Sequence, residues 1–263
     1  MIPPFYDAHL HLAASSLLSQ AEEICKTLSS IGVHRVVCNG TCTKDWPDIL
    51  RLARKHPLIL PAVGLHPWKV AEANDEWRTH FIHYLDNGAT AVGEIGLDQW
   101  IDGYDIQTQQ EVFRFQLEEA AKRNLPVSIH CLRAFHPLME TLRKSLLPER
   151  GIHLHAYNGP TELVDELLSL GTYFSFNSGQ LKPGNKRILK NLRYVPIERL
   201  LIETDAPSFL PIAQNRSHRL DDPSVNHPAN IEDAYPVIAQ AIEVDTEDMT
   251  KQIAQNFKDF FEK

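Results

Sequence analysis

The sequence predicts an α/β protein of the TIM (β/α)8 barrel class, on two observations. Short apolar runs rich in β-branched and aromatic residues alternate with longer amphipathic stretches, which is the pattern of repeated βα units around a parallel sheet. Eight such units fit into the 263 residues, and a parallel eight-stranded barrel takes about 250 residues. We therefore expect residues 1–263 to form one domain.

The predicted strands follow one another in the order that a barrel requires. They cover residues 5–12, 35–40, 59–65, 91–97, 126–131, 152–157, 173–177 and 200–203. The clearest amphipathic helices are predicted at residues 107–122, 161–170, 230–243 and 246–261. Gly171 is a helix stop signal directly after the second of these.

The composition is that of an ordinary soluble domain, with 43% hydrophobic and 23% charged residues. No apolar stretch approaches the roughly 18 to 20 residues that cross a bilayer, and residues 1–5 lack the basic and apolar regions of a signal peptide. We therefore expect a cytoplasmic protein without membrane contact. The four cysteines show no CxxC spacing, so we expect reduced, buried thiols.

The formal net charge of −8 argues against a broad basic surface that binds duplex DNA by counterion release alone. It does not exclude a nucleic-acid substrate, because divalent cations in an active site would reverse the sign of the local potential.

Polar residues stand at the carboxyl ends of the predicted strands, where the catalytic groups of such barrels lie. In the first strand, His9 and His11 are two residues apart and so face the same side. Two imidazoles on one face can chelate a metal ion, although paired histidines also occur on half-exposed strands.

The fourth strand places Glu94 among apolar neighbours, where an ionised carboxylate is costly unless a cation or a donor meets it. A bridging position between two metal ions would satisfy both oxygens. The alternatives are a pairing with a buried arginine and a loop-capping role.

Three further strands end in groups that bind metals. The fifth strand ends in His130; on the sixth, His153 and His155 share a face, and the strand end favours His155. The eighth leads to Glu203 and Asp205, again two apart, and either can be a ligand, a general base or half of a salt bridge. Each histidine alone fits a hydrogen-bonded structural role at least as well.

Imidazoles or carboxylates at the mouths of five strands together predict a metal centre. The nitrogen and oxygen set suits Zn, Mn or Mg in a hydrolytic site, and the lack of thiolate ligands argues against a structural zinc site. A nucleophilic serine or cysteine route is disfavoured because the sequence contains no GxSxG motif.

In order and spacing, these motifs resemble the TatD family of metal-dependent deoxyribonucleases, within the amidohydrolase superfamily. The resemblance rests on Asp7-Ala8-His9-Leu10-His11, Gly64-Leu65-His66-Pro67, Gly93-Glu94-Ile95-Gly96-Leu97-Asp98, Gln109 with Phe113 and Gln116, His130-Cys131-Leu132-Arg133-Ala134, Glu203-Thr204-Asp205-Ala206-Pro207, and Asn226 with Pro228.

The resemblance implies a TIM barrel with two divalent metal ions. One ion would be held by His9, His11, Glu94 and Asp205, and the second by Glu94, His130 and His155. It also implies a metal-dependent hydrolase with exonuclease or phosphodiesterase activity on DNA.

One motif departs from the family pattern. Members usually have His-Cys-Phe-Ser-Gly where this chain has His155-Ala156-Tyr157-Asn158-Gly159, which keeps the histidine and the glycine but changes the residues between them. The departure bears on substrate preference.

Metal chemistry assigns Asp205 and Glu94 as the catalytic carboxylates, with Asp205 positioning the attacking water and accepting its proton. Arg133 and His66 are predicted to contact a substrate phosphate, or else to have structural loop roles. Trp68 either stacks on a base or packs within its loop.

A small basic run, Lys182, Lys186 and Arg187, follows the seventh strand and also fits a solvated helix face. We expect DNA or another phosphodiester as substrate and no obligate protein partner. The alternatives are a metal-dependent amidase, lactonase or deacylase on the same fold, and a non-catalytic metal-binding protein.

Overall fold

The computed structural model describes residues 4–100, 103 and 105–262 and confirms the predicted barrel. Eight parallel strands form one sheet in the order in which they occur along the chain. They are β1 (Phe5–Leu10), β2 (Val33–Asn39), β3 (Ile59–Val63), β4 (Ala91–Asp98), β5 (Val127–Leu132), β6 (Ile152–Leu154), β7 (Tyr173–Phe176) and β8 (Leu200–Ile202).

The helices surround this sheet. They are α1 (Ala21–Ser30), α2 (Trp46–Lys55), α3 (Trp77–Asp86), α4 (Ile106–Arg123), α5 (Phe135–Lys144), α6 (Val164–Ser169), α7 (Lys186–Tyr194), α8 (Ile231–Ile242) and α9 (Thr246–Phe257). The boundaries of α4 have local causes, because the Asp105 side chain accepts the backbone N–H of Gln107 and Asn124 ends the helix in the left-handed conformation.

The barrel closes where β8 meets β1. The backbone N–H of Asp205 donates to the carbonyl oxygen of His9 at 2.9 Å. The buried carboxyl group of Asp7 accepts the N–H and the hydroxyl of Thr204 at 3.0 and 2.6 Å. The first and the last strand thus bring polar side chains together where the barrel closes.

Two apolar layers hold the structure together. The larger lies between strands and helices, because strands covered on both faces bury nearly every residue. The smaller packs strand residues such as Val37 and Leu201 against Phe257, Phe260 and Phe261 at the C-terminus. Because this smaller cluster closes one end of the barrel, the opposite end remains for a site.

The strands end earlier than the sequence predicts at several functional positions. The sixth strand covers Ile152–Leu154 rather than residues 152–157, and the eighth ends at Ile202. Beyond these ends, Ala156 and Asp205 have φ angles of 43° and 47°, which no ladder accommodates. The chain therefore turns away from the sheet at the residues that face the barrel centre.

Two predicted helices differ in detail. The helix at 161–170 begins with a 3-10 turn before α6, and the one at 246–261 continues beyond α9 as a π-helical turn, Lys258–Glu262. Among the described residues, no helix has both the length and the apolar character needed to cross a membrane.

Candidate metal centre

A cavity of about 700 Å³ opens at the carboxyl ends of the strands. Loops that follow strands on every side of the barrel contribute to its walls. Its lining includes most of the residues expected in the site, namely His11, His66, Glu94, His130, His155 and Asp205. His9 is fully buried behind His11, with their rings at 4.9 Å.

Three side chains gather near one oxygen of Glu94. The Nε2 atoms of His9 and His11 lie 3.2 Å apart, and they lie 3.4 and 3.3 Å from Glu94 Oε2. Asp205 Oδ1 lies 3.7 Å from His9 Nε2 and 3.3 Å from His11 Nε2. Four potential donor atoms therefore point at one small volume.

The other oxygen of Glu94 faces a second set. Glu94 Oε1 lies 2.9 Å from both His130 Nδ1 and His155 Nε2, and these two nitrogens are 3.5 Å apart. The two oxygens of one buried carboxylate thus face two separate groups of imidazoles.

These spacings fit metal coordination. Ligand bonds of about 2.1 Å place neighbouring donors about 3.0 Å apart in octahedral and about 3.4 Å apart in tetrahedral geometry. The distances around both Glu94 oxygens lie in or near this range, and the donors are the imidazoles and carboxylates that Zn, Mn and Mg accept.

Hydrogen bonds fix which ring nitrogen carries the proton when two candidate ligands are neutral. His11 Nδ1 lies 3.0 Å from the carbonyl oxygen of Asn39, which only accepts, so Nδ1 donates and the lone pair of the neutral ring is on Nε2. His130 Nε2 lies 2.8 Å from Asp98 Oδ2, which leaves Nδ1 to face Glu94. Such partners orient metal-binding histidines.

The electrostatics of the pocket favour bound positive charge. Burial lowers the pKa of His11, but Asp205 and Glu94 outweigh it and raise the pKa to about 10. Burial raises the pKa of Glu94, yet the charge of His155 and neighbouring histidines hold the pKa well below its usual value. Two ionised carboxylates in a buried site need positive charge beside them. Bound divalent ions would supply that charge in place of the protons on the histidines.

A buried polar chain lies beneath the centre and involves the residues that the sequence left undecided. Ser128 Oγ bonds His9 Nδ1 at 2.8 Å and His153 Nδ1 at 3.3 Å. His153 Nε2 bonds Ser175 Oγ at 2.6 Å, and Ser175 donates to Glu203. His153 and Glu203 thus lie below the cavity, whereas His155 and Asp205 line it.

Glu203 also faces the centre from below. Its Oε1 accepts Asn177 Nδ2 at 3.2 Å and lies 3.6 Å from His155 Nδ1, a buried atom that has no hydrogen-bond partner within the described part of the chain. His9, His155 and Glu203 form a further group with metal-binding atoms close together.

His66 is also close enough to Glu94 to be considered as a ligand, with Nε2 at 3.4 Å from Glu94 Oε1. Its Nδ1 accepts the backbone N–H of Trp68 at 3.1 Å, so the proton of the neutral ring sits on Nε2. Burial lowers the pKa of His66 to about 4, which keeps the ring neutral. His66 therefore presents a donor to the cavity, as phosphate contact would require.

The remaining residues that the sequence singled out lie around the rim of the cavity. Arg133 is exposed, and its guanidinium lies 4.9 Å from the ring centroid of Trp100, which lines the cavity. Lys182 and Arg187 of the basic run also line the cavity.

The residues that differ from the family motif within 155–159 are either buried or line the cavity. Tyr157 is buried, donates to the carbonyl oxygen of Pro160 at 2.7 Å and packs against Phe174. Ala156 and Asn158 line the cavity. Only these two positions therefore change the cavity lining.

Sequence reasoning gave no role to Asp98, Asn39 and Ser128, which contact candidate ligands. Asp98 carried a usable signal, because it is an acidic residue at the end of a strand in the same motif as Glu94. Asn39 contributes a backbone carbonyl, which no side-chain pattern can indicate.

The thiols have no place in this chemistry. The four cysteines are free, as expected; Cys25, Cys38 and Cys131 are also buried as expected, whereas Cys42 is only half-buried. Burial raises the pKa of Cys38 to about 12 and also raises the pKa of Cys131, which lines the cavity.

The family model of the TatD-related DNases matches residues 6–262. The chain belongs to the TatD-related DNase family. The resemblance drawn from the strand-end motifs is thereby confirmed, and the chain is a TatD-family metal-dependent hydrolase.

Relatives of the family align over nearly the whole chain. YabD of Bacillus subtilis, named an uncharacterized metal-dependent hydrolase, is 28% identical over 262 residues, which cover 97% of this chain and 98% of YabD. Human deoxyribonuclease TATDN3 is 26% identical over 275 residues, with 98% and 94% covered. The crystal structure of YJJV, a TatD homologue from Escherichia coli K12, matches over the full length of both chains with a TM-score of 0.90 at 23% identity, which supports the fold.

Proposed function

We propose that this chain is a two-metal phosphodiesterase that acts as a deoxyribonuclease, removing nucleotides from a strand end. The observation that carries the proposal is that the two carboxylate oxygens of Glu94 face two separate sets of potential metal ligands. A bridged pair of cations is the arrangement that two-metal phosphodiester hydrolysis uses.

The residues around Glu94 divide into two ligand sets. His9, His11, Glu94 and Asp205 would hold one divalent ion, and Glu94, His130 and His155 the other, with Zn, Mg or Mn as the fitting metals. When bound, such cations lower the pKa of water and neutralise charge that develops on phosphoryl oxygens.

The side chains have separate tasks in this proposal. Asp205 positions the attacking water and accepts its proton on the carboxylate. His66 donates from Nε2 to a phosphoryl oxygen, and Arg133 binds a phosphate at the rim, supported by its place beside Trp100. Residues 1–263 act as one hydrolase unit.

The nucleic-acid substrate is inferred from the relatives and from charge. TATDN3 is named a deoxyribonuclease, and Lys182 and Arg187 bring cations to the cavity of a protein with net charge −8. Ala156 and Asn158 are the positions at which substrate preference would differ from that of other members.

The test is digestion of end-labelled single-stranded DNA before and after chelation, with Zn, Mn or Mg restored. We expect activity that chelation abolishes and metal restores, and no activity in Asp205→Asn. Undiminished turnover by Asp205→Asn with metals bound would defeat the role of Asp205. Faster turnover on ester or amide panels than on DNA would favour carbonyl chemistry instead.

A further inference from the structure

Exposed aromatic residues are concentrated at the mouth of the cavity. Six large hydrophobic side chains are exposed among the described residues, and three of them line this one cavity: Trp68 at 42%, Trp100 at 57% and Phe209 at 39%. Exposed apolar surface that gathers at one site marks a contact with a ligand.

The three residues lie on loops from two sides of the barrel. Trp68 follows β3 and Trp100 follows β4, whereas Phe209 follows β8. In a closed ring of eight strands in sequential order, β4 and β8 are diametrically opposed. Trp100 and Phe209 therefore approach the cavity from opposite walls, with the candidate metal centre between them.

Contacts hold the ring of Trp100 and the backbone of Phe209 in place. The guanidinium of Arg133 lies over the ring of Trp100, a cation–π contact that restrains the indole. Phe209 has a φ of 46°, which is rare for an aromatic residue and persists only where the surroundings enforce it. Gly179 packs so closely that a Cβ there would lie 1.9 Å from the carbonyl oxygen of Phe209.

Cations accompany the aromatic residues on one wall. Lys182 lies on the segment between β7 and α7, and Arg187 lies in the first turn of α7; both line the cavity, next to the loop that carries Phe209. A basic groove combined with aromatic platforms is how proteins bind single strands of nucleic acid.

We propose that Trp100 and Phe209 are nucleobase-stacking subsites on either side of the scissile phosphate, and that Lys182 and Arg187 hold the strand's backbone beside Phe209. The assignment rests on the proposed phosphodiesterase function. The ligand is a single-stranded oligonucleotide of DNA or RNA, because paired bases within a duplex already stack on both faces and leave no face for the rings.

The binding test is a double-mutant cycle between Trp100 and the base that it would contact. Binding of phosphorothioate-linked pentathymidylate to the protein in Mg²⁺ is measured by calorimetry, with an abasic unit moved through the five positions. Trp100→Ala should weaken binding about 5- to 150-fold. At one of the five positions, removing the base should lower the affinity of the wild-type protein by the same factor and leave the affinity of Trp100→Ala unchanged. Trp100→Phe should retain most of the affinity, and uridylate strands should show the same coupling.

Tyr194→Ala is the matched control, since Tyr194 is 48% exposed and lies outside the cavity lining. It should bind as wild type does. If removing the base lowers the affinity of the wild-type protein and of Trp100→Ala by the same factor at every position, the assignment is overturned.

Hydrolysis of unmodified and wholly abasic phosphodiester strands separates this proposal from the proposed function. Base-dependent coupling in binding without cleavage of either strand would leave the subsites standing and defeat the nuclease. Equal cleavage of both strands without coupling would leave the phosphodiesterase standing and defeat the subsites.

Discussion

The most direct test of the metal centre replaces Asp98, which contacts the centre only through His130. Asp98 Oδ2 accepts from His130 Nε2 and from Trp68 Nε1, both at 2.8 Å, while Oδ1 accepts the backbone N–H of Trp100 at 2.7 Å. In Asp98→Asn, the amide nitrogen must therefore replace an atom that now only accepts. If it replaces Oδ2, His130 must offer Nε2 as the acceptor, and its proton then moves to Nδ1, which faces Glu94.

The size of the effect follows from the number of ligands affected. Loss of a carboxylate behind a metal-binding histidine lowers metal affinity about 10- to 100-fold, or about 1.4 to 2.7 kcal/mol. We expect this loss for the ion beside His130 and His155 alone, because His9 and His11 have other partners.

Chelator-competition titration followed by elemental analysis would measure the two affinities. Asp86→Asn is the matched control, since Asp86 forms an exposed ion pair with Arg123 that contributes little. If Asp98→Asn binds two equivalents with wild-type affinities, His130 does not depend on this partner and the reasoning is wrong.

Three further predictions concern the fold. Gly96→Ala should destabilise strongly in urea unfolding, because Gly96 has a φ of 143° and a Cβ would lie 2.0 Å from the carbonyl oxygen of His130; wild-type stability would contradict this. Phe257→Ala should cost about 3 to 5 kcal/mol of unfolding free energy, since its buried ring packs 4.7 Å from Tyr6; a loss below about 1 kcal/mol would mean that the site collapses to fill the space. Burial lowers the pKa of His227 to about 4. As the pH falls below about 6.5, this histidine takes up a proton in the unfolded chain but stays neutral in the folded protein. The free energy of unfolding should therefore decrease as the pH falls from about 6.5 to about 4. His227→Asn, which can still cap the N–H that His227 accepts, should flatten that decline in pH-dependent thermal unfolding, and parallel curves would refute the assignment.

The sequence by itself determined the barrel and the kind of chemistry at its mouth. Alternation along the first strand, predicted at residues 5–12, places His9 and His11 on one face whatever the rest of the chain does, because side-chain direction in an extended segment is local. The order of eight βα units likewise predicts a parallel sheet with polar residues at one edge.

Only the tertiary structure decided which groups meet. Periodicity is the same for His153 and His155 and for Glu203 and Asp205, so it cannot select within either pair. The selection depends on where the ladder ends and how the backbone leaves it, as at Asp205 with its φ of 47°.

The division of Glu94 between two sets of donors also depends on closure of the barrel. Its neighbours come from β1, β5, the turn after β6 and the loop after β8, so their separations depend on how the strands pack side by side. For the same reason no sequence pattern could place Trp100 and Phe209 on opposite walls of one cavity.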